Sequence, residues 1–235
     1  MEQKNNNINN QDEGIKKDND EELHKKRIKR KRLKKILKRR RKRKRIAYIN
    51  GLPLIKLLSK IDDKLFLKIF KDNRKGPFKS FMKFMSRLGD GYVWAGIYLI
   101  FYMFRIDYAL IYFSRALTAA IICIFIFLYT KNFFSRIRPY KKHGKIPIMY
   151  PPDKHSFPSG HTMVAFAISF SMGSYSLYSF FLFYSIAFLI AFSRVYVGLH
   201  YPFDVISGII SGTVIGACTN LLFYYITGLP MIGHL

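Results

Sequence analysis

Two cysteines, Cys123 and Cys218, are all that the 235-residue chain contains, and each sits alone inside an apolar stretch. Isolated thiols offer neither a metal-binding spacing nor a disulfide framework, so both read as small core residues. Acid is missing from one place in particular: Lys25 to Arg45 holds 17 Lys/Arg and no Asp or Glu. That run supplies +17 of the net charge of +26 and leaves +9 for everything else, so the basic excess is a local feature. Large apolar residues are scarce in the Asn-, Asp- and Glu-rich residues 1–22, which cannot offset the entropy of ordering and are expected to be disordered. No apolar core and small-residue cleavage site follow the first charges, so no cleavable signal peptide is expected. Insertion into a membrane then has to come from internal segments. No internal repeat is evident.

What is present is a succession of apolar segments, half of the chain being hydrophobic. The basic run carries Ile28, Leu33, Ile36 and Leu37 at intervals that suit a helix lying on an anionic surface. Each basic residue near such a surface contributes about 1 kcal/mol. A solvated tail and nucleic-acid or targeting use are the rival readings of such a run. Binding of residues 25–45 to anionic lipids is preferred, and no nucleic-acid partner is expected, because membrane segments follow.

Asn50-Gly51-Leu52-Pro53 reads as a helix entry, after which Lys56, Lys60, Lys64 and Lys68 recur every four residues and share one face. With Asp62 and Asp63 this segment suits an interface better than a crossing. A second amphipathic piece, Pro77 to Arg87, ends at Gly89-Asp90-Gly91. Residues 91–104 are uncharged but would span only about 21 Å as a helix, short of the roughly 30 Å hydrocarbon core. After the polar break Arg105 to Asp107, residues 108–130 can span, with Arg115 read as facing the interior or snorkelling. Thr162 to Ser193 is uncharged and too long for one span, and Gly173-Ser174-Tyr175-Ser176 offers the break between two helices. A last helix runs from near Pro202 to about Ile226, with Gly208, Gly212 and Gly216 permitting close packing.

This layout brings three polar clusters to one membrane face. The two helices between His161 and Arg194 go out and back, and Lys131 and Arg138 lie beyond the preceding helix on that side. Lys131, Arg138 and Arg194 are fixed cations, a set suited to the charge on the equatorial oxygens of a phosphoryl group in transfer. Ser159, Gly160 and His161 stand at the start of an apolar helix, where backbone N–H groups and the dipole favour an anion, with Ser159 also fit to be an N-cap. His200 and Asp204 are four apart around Pro202. A carboxylate on one ring nitrogen of a histidine frees the other as a nucleophile.

Read in order, these residues spell K-x6-R-P (Lys131, Arg138, Pro139), P-S-G-H (Pro158, Ser159, Gly160, His161) and S-R-x5-H-x3-D (Ser193, Arg194, His200, Asp204). The pattern resembles the complete signature of the type 2 phosphatidic acid phosphatase superfamily, which also contains the vanadium haloperoxidases. The resemblance covers residues 52–226 and leaves the basic tail outside. It implies that His200 attacks phosphorus and forms a phosphohistidine, that Asp204 supports it, and that His161 protonates the leaving oxygen and then helps activate water. Lys131, Arg138, Arg194, Ser159 and Gly160 would bind the phosphate. His143 and His155 match nothing in the signature and read as loop residues. A zinc site built from His143, His155, His161 and His200 matches no common spacing and would be opposed by the cations, so neither a metal nor a cofactor is expected.

The expected fold is all-α: an integral-membrane helical bundle of about five to six helices with an N-terminal amphipathic interfacial region. Its parts are a disordered and polybasic tail (1–45), interfacial helices (46–90) and a membrane phosphatase core (91–235). The expected activity is hydrolysis of a lipid phosphomonoester or diphosphate, with polyprenyl diphosphate (undecaprenyl diphosphate among them), phosphatidylglycerophosphate and phosphatidic acid as candidates. A lipid phosphotransferase using the same site and a non-catalytic membrane adaptor with a basic tail are the alternatives. So apolar a chain does not suit a soluble haloperoxidase.

The expected location is the cell (inner) membrane. The positive-inside rule puts the basic tail in the cytoplasm, and only two clear spans precede Lys131, whereas relatives usually act on the outer or lumenal face. Either region 52–88 makes an additional crossing, or the tail lies outside, or the site faces inward. An outward-facing site is the expectation.

Overall fold

The computed structural model describes residues 27–49, 51–70, 76–103, 107–151 and 153–228. The stretch 1–22, expected to be disordered, and Arg105 of the polar break lie outside the described residues. The chain divides into two compact units, Met1–Lys56 and Leu57–Leu235. Within the first, residues 27–49 form a helix, α1, whose Ile28, Leu33, Ile36 and Leu37 are exposed along with most of its Lys and Arg.

Proline at the first helical position, where its missing N–H costs nothing, opens α2 (Pro53–Ile69). Lys56, Lys60, Lys64 and Lys68 are exposed as their spacing requires, while Asp62 and Phe66 are buried. The next helix, α3 (Pro77–Leu88), buries Met82, Met85 and Ser86. Both helices lie across one end of the bundle that follows. Phe66 stacks on His143 with centroids 5.7 Å apart and meets Tyr201 edge-on at 5.8 Å. Phe78 meets Tyr196 edge-on at 5.3 Å, and Met82 packs with Tyr140, Tyr196, Val197 and Leu199.

The bundle consists of α4 (Gly91–Met103), α5 (Asp107–Phe134), α7 (Gly160–Gly173), α8 (Leu177–Tyr196) and α9 (Pro202–Thr227), with the single turn α6 (Pro139–Lys142) between α5 and α7. Among the described residues, three stretches are long and apolar enough to cross a membrane: Leu110–Phe134, Leu177–Tyr196 and Pro202–Thr227. α7 has only 14 residues and is apolar all round, which fits a helix enclosed by others. It is buried along almost its whole length and packs on α5, α8 and α9. The glycine row of α9 makes this possible. A Cβ at Gly208 would lie 2.8 Å from the Ser159 carbonyl oxygen and one at Gly216 2.9 Å from that of Ala167. Outward-facing residues such as Ile121, Phe125, Phe181, Phe188, Ile210 and Val214 are apolar and exposed, as a lipid-facing surface demands.

The chain direction of these helices sets the position of the site. α5 and α8 end, and α7 and α9 begin, at the same end of the bundle. Asp62 contacts Arg136 there, Ser86 contacts Arg194, and Asp90 contacts His161. The segment from Asp62 to Asp90 therefore leaves and returns on one side and makes no net crossing.

Candidate active site

Each polar side chain at this end is delivered by the terminus of a helix. Lys131 lies in the last turn of α5, its ammonium 4.8 Å from the centre of the Phe127 ring. Arg138 is the residue before α6, with extended backbone and Pro139 at the first helical position. Arg194 is in the last turn of α8, fully enclosed, with one guanidinium nitrogen donating to the Ser86 hydroxyl of α3. His200 sits in the link between α8 and α9. That link turns at Gly198, whose φ of 87° and contact with the Phe70 ring, 2.7 Å from where a Cβ would be, admit no other residue comfortably. Asp204 is the third residue of α9 and turns back to accept from the Tyr201 N–H at 3.0 Å, an N-terminal cap that also fixes the carboxylate.

The cations converge on His200. Arg138 donates through Nη1 to the Leu199 carbonyl at 2.8 Å and stands 3.4 Å from His200 Nε2. The opposite ring nitrogen, Nδ1, faces Asp204 Oδ2 at 3.8 Å, longer than a hydrogen bond. Burial, and then the charges of Arg138, Arg194, Lys131 and His161, push the His200 imidazole well below its ordinary 6.5. His200 is accordingly neutral near pH 7, with Nε2 turned toward the cations.

Those cations hold a carboxylate of the chain itself. Asp153 accepts from Lys131 Nζ at 2.6 Å through Oδ2 and from Arg138 Nη2 at 2.7 Å through Oδ1. Its backbone carbonyl also accepts from Arg138 Nε at 3.3 Å. Burial raises the Asp153 pKa, but the Lys131 hydrogen bond and the Lys131 and Arg138 charges outweigh it and hold the group at about 2.

On the facing side, His161 Nε2 is 2.7 Å from Asp90 Oδ1, so a carboxylate accompanies each of the two histidines. The Ser159 backbone N–H donates to the Asp204 carbonyl at 3.1 Å and its hydroxyl pairs with Thr162 at 2.9 Å. Ser159 thus ties α7 to α9, in place of the anion-facing N–H anticipated from sequence. Gly160 packs against the Phe127 ring, 3.3 Å from where a Cβ would lie.

The structure brings together Lys131, Arg138, Arg194, His200 and Asp204, with His161 near enough for its charge to act on His200. Ser193 is buried and returns its hydroxyl to the Ile190 carbonyl at 2.6 Å. Arg115 is fully buried away from this end, its guanidinium 5.2 Å from the centre of the Tyr112 ring. His143 pairs with Asp63 at 2.9 Å, and His155 pairs in an isolated antiparallel bridge with Ile137. Asp90, Asp153, Ser86, Asp62 and Arg136 were not singled out from sequence as site residues. Among the described residues, no three His, Cys, Asp or Glu side chains group as a metal site.

Comparison with known proteins gives concordant results. The profile of the PAP2 superfamily matches residues 92–227. The undecaprenyl-diphosphatase of Sulfolobus acidocaldarius is 28% identical over 157 residues, which are 62% of this chain and 71% of that one. The crystal structure of Aquifex aeolicus LpxE aligns with a TM-score of 0.58 at 28% identity, covering 66% of this chain and 92% of that chain. The crystal structure of a transmembrane PAP2-type phosphatidylglycerolphosphate phosphatase from Bacillus subtilis aligns with a TM-score of 0.61 at 20% identity, covering 79% and 94%. That last likeness is one of fold.

Proposed function

The chain belongs to the PAP2 superfamily, and from that premise we propose that it is a membrane lipid phosphatase that cleaves a lipid phosphomonoester or diphosphate through a phosphohistidine on His200. The observation that carries this reading is the buried His200, with Nε2 turned to Arg138 at 3.4 Å and Nδ1 turned to Asp204. A nucleophilic nitrogen held among cations suits attack on phosphorus, because the cations bind the charge that the transition state spreads over its oxygens.

In this reading the lipid chain stays in the bilayer and its phosphate enters among Lys131, Arg138 and Arg194, displacing Asp153. The His200 Nε2 lone pair attacks phosphorus as the bond to the leaving oxygen breaks, and that oxygen takes a proton from His161. The products of this half are phosphohistidine and a lipid alcohol, or a lipid monophosphate where the substrate is a diphosphate. Water then attacks phosphorus, giving its proton to His161 as the P–N bond breaks, and inorganic phosphate leaves. Burial and then the Arg194 charge hold His161 at about 4 against the raising effect of Asp90. The negative charge of an entering phosphate works with Asp90 to bring on the protonated form that the first step needs.

Similarity to an undecaprenyl-diphosphatase supports trying a polyprenyl diphosphate first, and phosphatidylglycerophosphate and phosphatidic acid complete the panel. The basic α1 helix supports a further part of the proposal, attachment of residues 25–45 to anionic lipids of the cell membrane. Vesicle flotation of the tail segment with and without anionic lipid measures it.

The activity is tested by phosphate release from detergent-purified protein across this panel, with a soluble phosphate ester and His200→Ala as controls. Release from a lipid, lost in the variant, is expected. If neither protein releases phosphate from any substrate, transfer to a lipid acceptor or a non-catalytic role replaces this reading.

A further inference from the structure

Asp204 is fully buried, yet its orientation is not set by the histidine it faces. Its Oδ1 accepts from Arg136 Nη1 at 2.6 Å and its Oδ2 from the Tyr201 N–H at 3.0 Å, while His200 Nδ1 stands at 3.8 Å. The same guanidinium reaches a second buried carboxylate, with Arg136 Nη2 2.6 Å from Asp62 Oδ2 on α2. The other oxygen of Asp62 accepts from the Phe203 N–H at 2.9 Å. Phe203 immediately precedes Asp204 in the first turn of α9, so Asp62, Arg136, Asp204 and the Phe203 backbone form a closed ring. The ring is lidded by Tyr201, whose centroid lies 4.2 Å from the Arg136 guanidinium carbon.

Chemistry requires the ring to be complete. Asp62 and Asp204 are both fully enclosed, and two carboxylates out of water repel unless a cation joins them. The forked guanidinium gives one terminal nitrogen to each carboxylate, Nη1 to Asp204 and Nη2 to Asp62, a fixed geometry that a single ammonium on a flexible stem does not reproduce. Neither Arg136 nor Asp62 is part of the three-part signature, and Asp62 lies outside the residues 92–227 that the family profile matches.

We propose that Arg136 and Asp62 are positioning residues that aim the Asp204 carboxylate at His200, so that the interfacial helix α2 is a working part of the catalytic apparatus. The proposal rests on the reading of His200 as nucleophile. Losing the ring leaves Lys131, Arg138 and Arg194 in place, so phosphate binding persists while the chemical step slows.

The test is the kinetics of Asp62→Asn and Arg136→Lys in the full-length protein, with Asp63→Asn as the control. Asp63 is adjacent on α2 and pairs instead with Lys142 at 2.6 Å and His143 at 2.9 Å. Asp62→Asn and Arg136→Lys are each expected to lower kcat by roughly 10- to 100-fold, as loss of an orienting partner does at metal-bound histidines. KM and the inhibition constant for vanadate should stay near wild type in both, and Asp63→Asn should keep a wild-type kcat. Asp62→Asn added to Asp204→Asn should cost nothing more, because both changes break one relay.

A wild-type kcat in Asp62→Asn or Arg136→Lys overturns the proposal, as does a loss in the double variant equal to the product of the single losses. A common fall in vanadate affinity for all three α2 and loop variants also overturns it, since that marks general loosening of the fold. Should the wild-type protein release no phosphate at all, the assignment of His200 as nucleophile falls instead.

Discussion

Asp153 and Lys131 are joined at 2.6 Å across the mouth of the cation cluster, and the second oxygen of the same carboxylate holds Arg138 at 2.7 Å. An internal anion therefore occupies two of the three cations proposed to bind the phosphate. With its pKa held at about 2, Asp153 stays charged near neutral pH, and under the proposed mechanism it would compete with substrate for Lys131 and Arg138. Its contribution to stability is complete above the ordinary carboxylate value of 3.8 and is lost as pH falls through about 2.

Replacing Asp153 with Asn frees both cations. Vanadate should then bind tighter by roughly fivefold, the equivalent of the ~1 kcal/mol of a partly exposed ion pair. The ligand-free protein should melt lower while the upward shift on adding vanadate grows. Thermal denaturation with and without vanadate measures both, and weaker vanadate binding would mean that Asp153 organises the cations.

The depressed pKa of His200 fixes where activity fails in acid. A histidine held below 6.5 remains an unprotonated nucleophile as pH drops through 6.5 and loses that state only at lower pH. The acidic limb of kcat/KM, corrected for ionisation of the substrate, should therefore lie below 6.5. A limb at the ordinary histidine value would place His200 in water.

Asp90 and His161 give a prediction that depends on the leaving group. Asp90→Asn should slow cleavage of a lipid alkyl phosphate by about 100-fold, the lower range of general acid assistance. For p-nitrophenyl phosphate, whose leaving oxygen needs no proton, the loss should be much smaller. Parallel assays of the two substrates decide it, and equal losses would remove Asp90 from the proton-transfer step.

Membrane sidedness follows from the contacts of α2. Single cysteines at Lys68 and Lys141, both exposed, should react with an impermeant thiol reagent from one side, and one at Tyr178, 90% exposed in the first turn of α8, from the other. Reaction of Lys68→Cys and Lys141→Cys from opposite faces would require an odd number of crossings between them and contradict this arrangement.

Much of this architecture was legible in the sequence because membrane helices announce themselves by apolar length and glycine, proline and polar residues mark their ends. The break at Gly173 to Ser176, the start of α9 at Pro202 and the inward Arg115 all follow from local pattern. The site signature was legible for a different reason: its residues cluster at helix ends that the in-and-out topology brings together. What escaped was the set of acids that neutralise it. Asp62 and Asp63 looked like charges that merely forbid a crossing, and Asp90 like part of a turn, because their partners lie 71 to 80 residues away. A compositional clue was available. Beyond residue 50 the chain has seven aspartates and no glutamate, and Asp62, Asp63, Asp90, Asp153 and Asp204 each face a Lys, Arg or His. Acids so few in so apolar a chain are retained where a cation needs them.

The most direct test is to trap the phosphoryl group in transit. Purified protein is mixed with its best lipid substrate labelled on the transferred phosphate, quenched in alkali within the first turnover, and digested for peptide mapping. Label is expected on the peptide bearing His200, absent from His200→Ala and still formed by His161→Ala with an activated aryl phosphate. Label on His161, or a full turnover of released phosphate with none ever bound to the protein, would contradict a phosphohistidine on His200.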